Sequence, residues 1–278
     1  MSKKLNGTPH GRAIVVSPIE NETSSGVIMH ELSTGQRKGV FVSMGDNPGI
    51  KASEGDIVHY RDSSGPYLKE ENLQFIHMNE VVAVKHADGS FSCPDGTILV
   101  TADGRFNDKV KYGSLELVVP ANEPNWTHAA KTKLTVAGTS STTGCVSAGE
   151  EVFVNFGVVL NDNMHCKIDG IDYWKAYCSG LGGDVYAVDR EKIEPIFGWA
   201  LVEPWEEPVA VSSSLIMPEK SRQSEKIGTI KYIGENDMNP KLEVGMKVAF
   251  HEDDAFLNDF NGEKLYTMKV ERITGIYE

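Results

Sequence analysis

A glycine-led strand occurs three times in this chain, and its spacing constrains the fold more than any other feature. The first copy reads Glu54-Gly55-Asp56-Ile57-Val58-His59-Tyr60. The second is Val146-Ser147-Ala148-Gly149-Glu150-Glu151-Val152-Phe153-Val154, and the third is Leu242-Glu243-Val244-Gly245-Met246-Lys247-Val248-Ala249-Phe250. Each is a tight turn at glycine, then a polar residue or two, then β-branched and aromatic residues suited to a strand. The glycines recur about every 94–96 residues. That period is too long for a solenoid, so each repeat has the size of a small domain.

The flanking segments recur in the same order. Repeat one opens with Gly11-Arg12-Ala13-Ile14-Val15-Val16 and runs into a Ser/Thr/Glu/Gly-rich segment, 19–37, that carries the apolar triplet Val27-Ile28-Met29. Gly39-Val40-Phe41-Val42-Ser43-Met44-Gly45 follows, then the glycine-led strand, a hairpin at 62–65, and the closing segment Phe75–Val84. Repeat three runs through Gly198–Pro204, a long polar loop holding Leu215-Ile216-Met217, Ile227–Gly234, the Gly245 strand, the hairpin signal Asn261-Gly262, and Leu265–Ile276. The middle repeat is more divergent. Its loop carries Leu117-Val118-Val119, and an insertion lies between Val158 and Lys167. The junction Pro195-Ile196-Phe197-Gly198 leaves no room for a flexible linker. The chain is therefore expected to be all-β, in three small modules at 11–85, 95–197 and 198–278. The alternating strands predict a core of Ile14, Val16, Val42, Ile57, Val58, Val82 and Val84 in repeat one. In repeat three they predict Leu201, Ile230, Val248, Phe250, Ile273 and Ile276.

Composition narrows the function. A net charge of −13 over 278 residues argues against a nucleic-acid partner, which needs a basic footprint. No apolar run approaches the roughly 20 residues of a membrane helix, and the basic start has no apolar stretch behind it, so neither membrane nor secretory signal is expected. The four cysteines have no C-x-x-C spacing and read as reduced thiols of a cytoplasmic protein. His165-Cys166 with Cys178 is the one grouping that suggests a metal, and isolated thiols are the preferred reading. The acid pairs Glu70-Glu71 and Asp253-Asp254 read as solvated faces. The chain has no G-x-S-x-G, Walker loop or H-E-x-x-H. An enzyme is the least supported class, and no cofactor is expected.

The order of strand, long loop with an apolar triplet, G-x-V-x-x-x-G strand, V-G-D-like strand, hairpin and Met/Glu-led closing strand resembles the chaperonin-10 (GroES) family. The resemblance is closest at Gly39–Gly45, Glu54–Tyr60 and Phe75–Val84, and at Ile227–Gly234, Val244–Phe250 and Leu265–Ile276. It implies a small, partly open β-barrel for each of the three modules, and a co-chaperonin: a ring of subunits capping a chaperonin barrel, with each long loop docking its triplet in a chaperonin groove. The matching positions are Val27, Ile28 and Met29, and Leu215, Ile216 and Met217; Leu117, Val118 and Val119 form a third candidate. The segments 45–55 and 234–245 are too short for a large roof hairpin, as in the reduced co-chaperonins that phages encode. Docking three apolar side chains releases roughly 1.5–3 kcal/mol each, most of it offset by ordering the loop, so ring multiplicity would supply avidity. Three repeats per chain do not tile a seven-membered ring. That mismatch keeps open a second reading, a structural β-module of a larger assembly such as a virion, because fold alone does not set function.

Overall fold

The computed structural model describes residues 9–19, 35–47, 49–61, 65–102, 109–112, 115–118, 133–161, 163–178, 183–205, 225–238 and 241–277. The protein is all-β. The first third holds β1 (Ala13–Ile19), β2 (Gln36–Met44), β3 (Ile57–Arg61), β4 (Tyr67–Leu68), β5 (Leu73–His77), β6 (Val81–Lys85) and β7 (Phe91–Ser92). The middle holds β8 (Thr97–Thr101), β9 (Lys109–Tyr112), β10 (Leu115–Val118), β11 (Lys133–Thr139), β12 (Glu151–Val154), β13 (His165–Ile168), β14 (Ile171–Tyr177) and β15 (Val185–Asp189). The last part holds β16 (Ile193–Pro195), β17 (Trp199–Pro204), β18 (Glu225–Ile233), β19 (Lys247–His251), β20 (Phe256–Phe260), β21 (Glu263–Lys269) and β22 (Ile273–Tyr277). The one α-helix among the described residues, α1 (Phe156–Leu160), overlaps the start of the insertion.

The chain forms two compact units. The first takes residues 1–104, 134–150 and 156–179, and the second takes 105–133, 151–155 and 180–278. The strands of the middle stretch thus divide between them. In the first unit the strand order is β13-β14-β8-β11-β7-β6-β3-β2-β1-β5-β4. In the second, β20-β21-β17-β18-β19-β22 form one sheet, β15 lies between β12 and β16, and β9 pairs with β10.

The strand registers repeat. In the first unit Ile14 faces Met44 and, past a bulge between Val15 and Val16, Val16 faces Phe41. In the second, Ala200 faces Ile233 and, past a bulge between Leu201 and Val202, Val202 faces Ile230. Val58 faces Val84, and a bulge after His59 brings Tyr60 opposite Val81. Val248 likewise faces Ile276, and a bulge after Ala249 brings Phe250 opposite Ile273. The middle stretch shows the same two ladders. Leu99 faces Gly138 with Val100 opposite Val136 past a bulge, and Val152 faces Val188 with Val154 opposite Val185 past a bulge. A bulge inserts one residue and bends its strand, so bulges at matching places curl each sheet in the same way.

The glycine-led turn has a local cause. Gly55, Gly149 and Gly245 sit at φ of 91°, 88° and 90°, a conformation that disfavours any side chain. The residue after each glycine closes the turn. Asp56 Oδ2 accepts the Ser53 amide at 2.7 Å, Glu150 Oε2 accepts the Ser147 amide at 2.7 Å, and Met246 Sδ accepts the Glu243 amide at 3.4 Å. The turn therefore needs an acceptor at that position more than it needs a charge.

Two equivalent cores result. One is built from Ile14, Val16, Phe41, Val58, Tyr60, Ile76, Met78 and Val84 among others, the other from Ala200, Val202, Ile230, Val248, Phe250, Met268 and Val270. Of the residues expected inside, Val82 and Leu201 are buried as well. Val82 packs in a separate cluster with Cys93, Leu99 and Tyr173. Val42 and Ile57 are only half-buried, because strand alternation gives the inward face to Phe41 and Val58. Ile273 is half-buried, and Ile276 is 42% exposed for a reason given below.

Candidate functional site

The stems of the long loops are well defined. In repeat one the β1–β2 ladder extends to Ile19 opposite Lys38. In repeat three Pro204 faces Gly228, and the Trp205 amide donates to the Ile227 carbonyl at 3.2 Å. The Trp205 ring lies 6.2 Å from that of Tyr277, with Lys247 Nζ 5.1 Å from its centroid, a cation–π arrangement at the loop base. Val27, Ile28 and Met29, Leu215, Ile216 and Met217, and Val119 lie outside the described residues. Leu117 and Val118 belong to β10, opposite Val110 and Lys109 of β9, so this candidate is part of a hairpin.

A second feature is the closing strand of each repeat. β6 lies between β3 and β7, with Val84 opposite Ser92 and Lys85 opposite Phe91. β15 lies between β12 and β16, with Val188 opposite Glu194. In both cases the outer partner is the short segment that precedes the next repeat. β22 occupies the corresponding place, yet its only neighbour among the described residues is β19. Val84 and Val188 are buried, whereas Ile276 at the matching position is 42% exposed and Tyr277 47%. The expectation that Ile276 belongs to the core fails here because nothing among the described residues flanks the outer side of β22. An apolar edge of this kind is a template for another strand.

The structure also assembles a side-chain relay that sequence reading missed. Asp56 Oδ2 lies 2.8 Å from His86 Nδ1, and His86 Nε2 lies 2.7 Å from Ser92 Oγ. Asp56 is nearly fully buried. The order is that of an acyl-transfer triad. However, the same Asp56 oxygen already holds the Ser53 amide, and the neighbouring concavity of about 420 Å³ is lined by Gly55, Ile57 and the 85–89 turn, without Ser92. The relay fastens the β6–β7 hairpin to the glycine-led turn. The only sequence signal for it was the acidic residue after Gly55.

The residues considered for a metal do not converge. His165 Nε2 bonds Asp172 Oδ1 at 2.9 Å, Cys166 is buried in the cluster with Cys93, and Cys178 lies beside Cys145. Burial pushes the Cys93 and Cys166 thiols up to about 12, so both hold their protons at neutral pH. Lys175 is buried nearby, donates to the Val81 carbonyl at 2.8 Å, and is pulled down to about 8 by desolvation. No helix among the described residues is long and apolar enough to cross a membrane.

Repeated bulged ladders are thus the feature that the described residues share between the repeats, and an exposed apolar closing strand sets the third repeat apart. Residues 192–277 match the model of the Chaperonin 10 Kd subunit family, so this stretch is a chaperonin-10 family region. No curated protein matches the chain.

Proposed function

We propose that this chain is a cytoplasmic, non-enzymatic co-chaperonin built from three chaperonin-10-like modules. It binds a chaperonin barrel through Val27-Ile28-Met29 and Leu215-Ile216-Met217 and assists protein folding there. The observation that carries this reading is the repetition of register. The family match covers 192–277, and the ladders of that region recur, bulge for bulge, in the residues of repeat one. The middle ladders support a third, divergent module.

The closing strands suggest how copies associate. β6 and β15 are each flanked by the segment leading into the next repeat. The open edge of β22 suits the corresponding segment of a second copy, the residues just before Ala13. Joined in this way, copies would continue the internal pattern into a ring. Docking is assigned to repeats one and three, since Leu117 and Val118 sit in a paired strand. The test is the double variant Ile28→Ser, Ile216→Ser. It should keep the β-rich circular dichroism spectrum of the wild type and lose chaperonin binding. Retained binding would remove the triplets from the account. Wild type that assembles but never binds a chaperonin would favour the structural-module reading, in which the β22 edge serves a larger assembly.

A further inference from the structure

Two segments of the first unit converge on the backbone of Gly96. The Gly96 amide donates to Thr142 Oγ1 at 2.8 Å, and its carbonyl accepts the Cys178 amide at 2.8 Å. Thr142 belongs to the turn after β11, which is itself braced by the Val146 amide donating to the Thr143 carbonyl at 3.1 Å. Cys145 lies on this turn and is exposed, whereas Cys178 directly follows β14 and is buried. The two sulfurs stand 3.9 Å apart and are not joined in a disulfide. A disulfide needs about 2.05 Å between sulfurs. Both segments are tied to Gly96, one through Thr142 Oγ1 and the other through the Cys178 amide, which keeps the two sulfurs near each other.

We propose that Cys145 and Cys178 are a thiol-oxidation site that closes reversibly to a disulfide, with glutathione disulfide as the class of oxidant. The exposed and buried placements assign the roles. The Cys145 thiolate attacks one sulfur of glutathione disulfide and expels one glutathione thiolate, leaving a mixed disulfide. Cys178 then attacks Cys145 Sγ and expels the second glutathione. Two protein thiols lose two protons and two electrons, and one glutathione disulfide becomes two glutathione thiols. Its contact with Cys145, together with burial, holds the Cys178 thiol well above the usual range, which leaves the exposed Cys145 as the first of the two to react. Cys93 and Cys166 are buried and stay outside this chemistry.

The test incubates the full chain with glutathione disulfide and reads thiol number under denaturing conditions, intact mass and peptide linkage. The wild type should go from four thiols to two, lose the mass of two hydrogens, yield a Cys145–Cys178 cross-linked peptide, and recover on adding a dithiol reductant. Cys178→Ser should stop at one glutathione adduct on Cys145, and Cys145→Ser should keep its remaining thiols. A wild type that retains all four thiols, or that stops at a mixed disulfide, overturns the proposal. So does a Cys145→Ser variant that still forms an internal disulfide.

Discussion

Gly228 lies directly against Val202: a Cβ placed on it would stand 2.4 Å from Val202 Cγ1 and 2.6 Å from the Glu203 carbonyl oxygen. Gly39 stands in the same relation to Val16, at 2.7 Å from Cγ2 and 3.0 Å from the Ser17 carbonyl oxygen. Each glycine faces a proline across the ladder, Pro204 and Pro18 respectively. The glycine is there for close approach, and a stiff β-branched neighbour cannot yield. Gly228→Ala and Gly39→Ala should each cost about 1–3 kcal/mol as overpacking. Urea unfolding measures this. Gly275→Ala serves as the control, because nothing lies within 4 Å of its added Cβ, and it should leave the midpoint within the error of the measurement.

Val248 and Ile276 face each other across β19 and β22, yet one is fully buried and the other 42% exposed. Val248→Asp places an unpaired charge in the core and should abolish soluble expression. Ile276→Asp should leave the monomer folded and weaken self-association at the β22 edge, as read by sedimentation. A folded Val248→Asp protein would count against the core assignment. An Ile276→Asp protein that assembles like wild type would remove β22 as the contact.

These two residues also show how far the sequence could be read. Pattern and alternation identified Val16, Val58, Ile230 and Phe250 as core, because a strand buried on one face shows its inward residues every second position. Val42 is the extra residue of the β1–β2 bulge, which the pattern does not locate, and Ile57 adjoins the inward Val58, so strict alternation turns it outward. The exposure of Ile276 was not legible, because it depends on a flanking strand that repeats one and two receive from the following segment. Of the candidate site residues, Leu117 and Val118 were read as loop residues and lie in a hairpin, although the sequence pair Gly113-Ser114 between the two strands is a hairpin signal. The Asp56–His86–Ser92 relay joins residues 30 and 6 positions apart, contacts that only the folded register creates.

His59 is buried between β2 and β6, and desolvation lowers its pKa from 6.5 to about 4. Asp169 pulls in the opposite direction, while Lys38 and Lys85 add to the lowering. Between pH 6.5 and 4 the unfolded chain binds a proton at this residue that the folded chain does not. Stability therefore falls as pH falls through that window, by up to about 3 kcal/mol, and His59 contributes no slope above it. His59→Gln should flatten the dependence of unfolding free energy on pH between 4 and 6.5. An unchanged slope would assign the acid sensitivity to other groups.

The proposed capping of a chaperonin is tested most directly by co-purification of the wild-type protein with a purified chaperonin barrel, with and without ATP, followed by imaging of the complexes. Nucleotide-dependent capture is expected, with a ring of this protein seated on the chaperonin end. Absence of capture under both conditions, with the protein intact and assembled on its own, would contradict it.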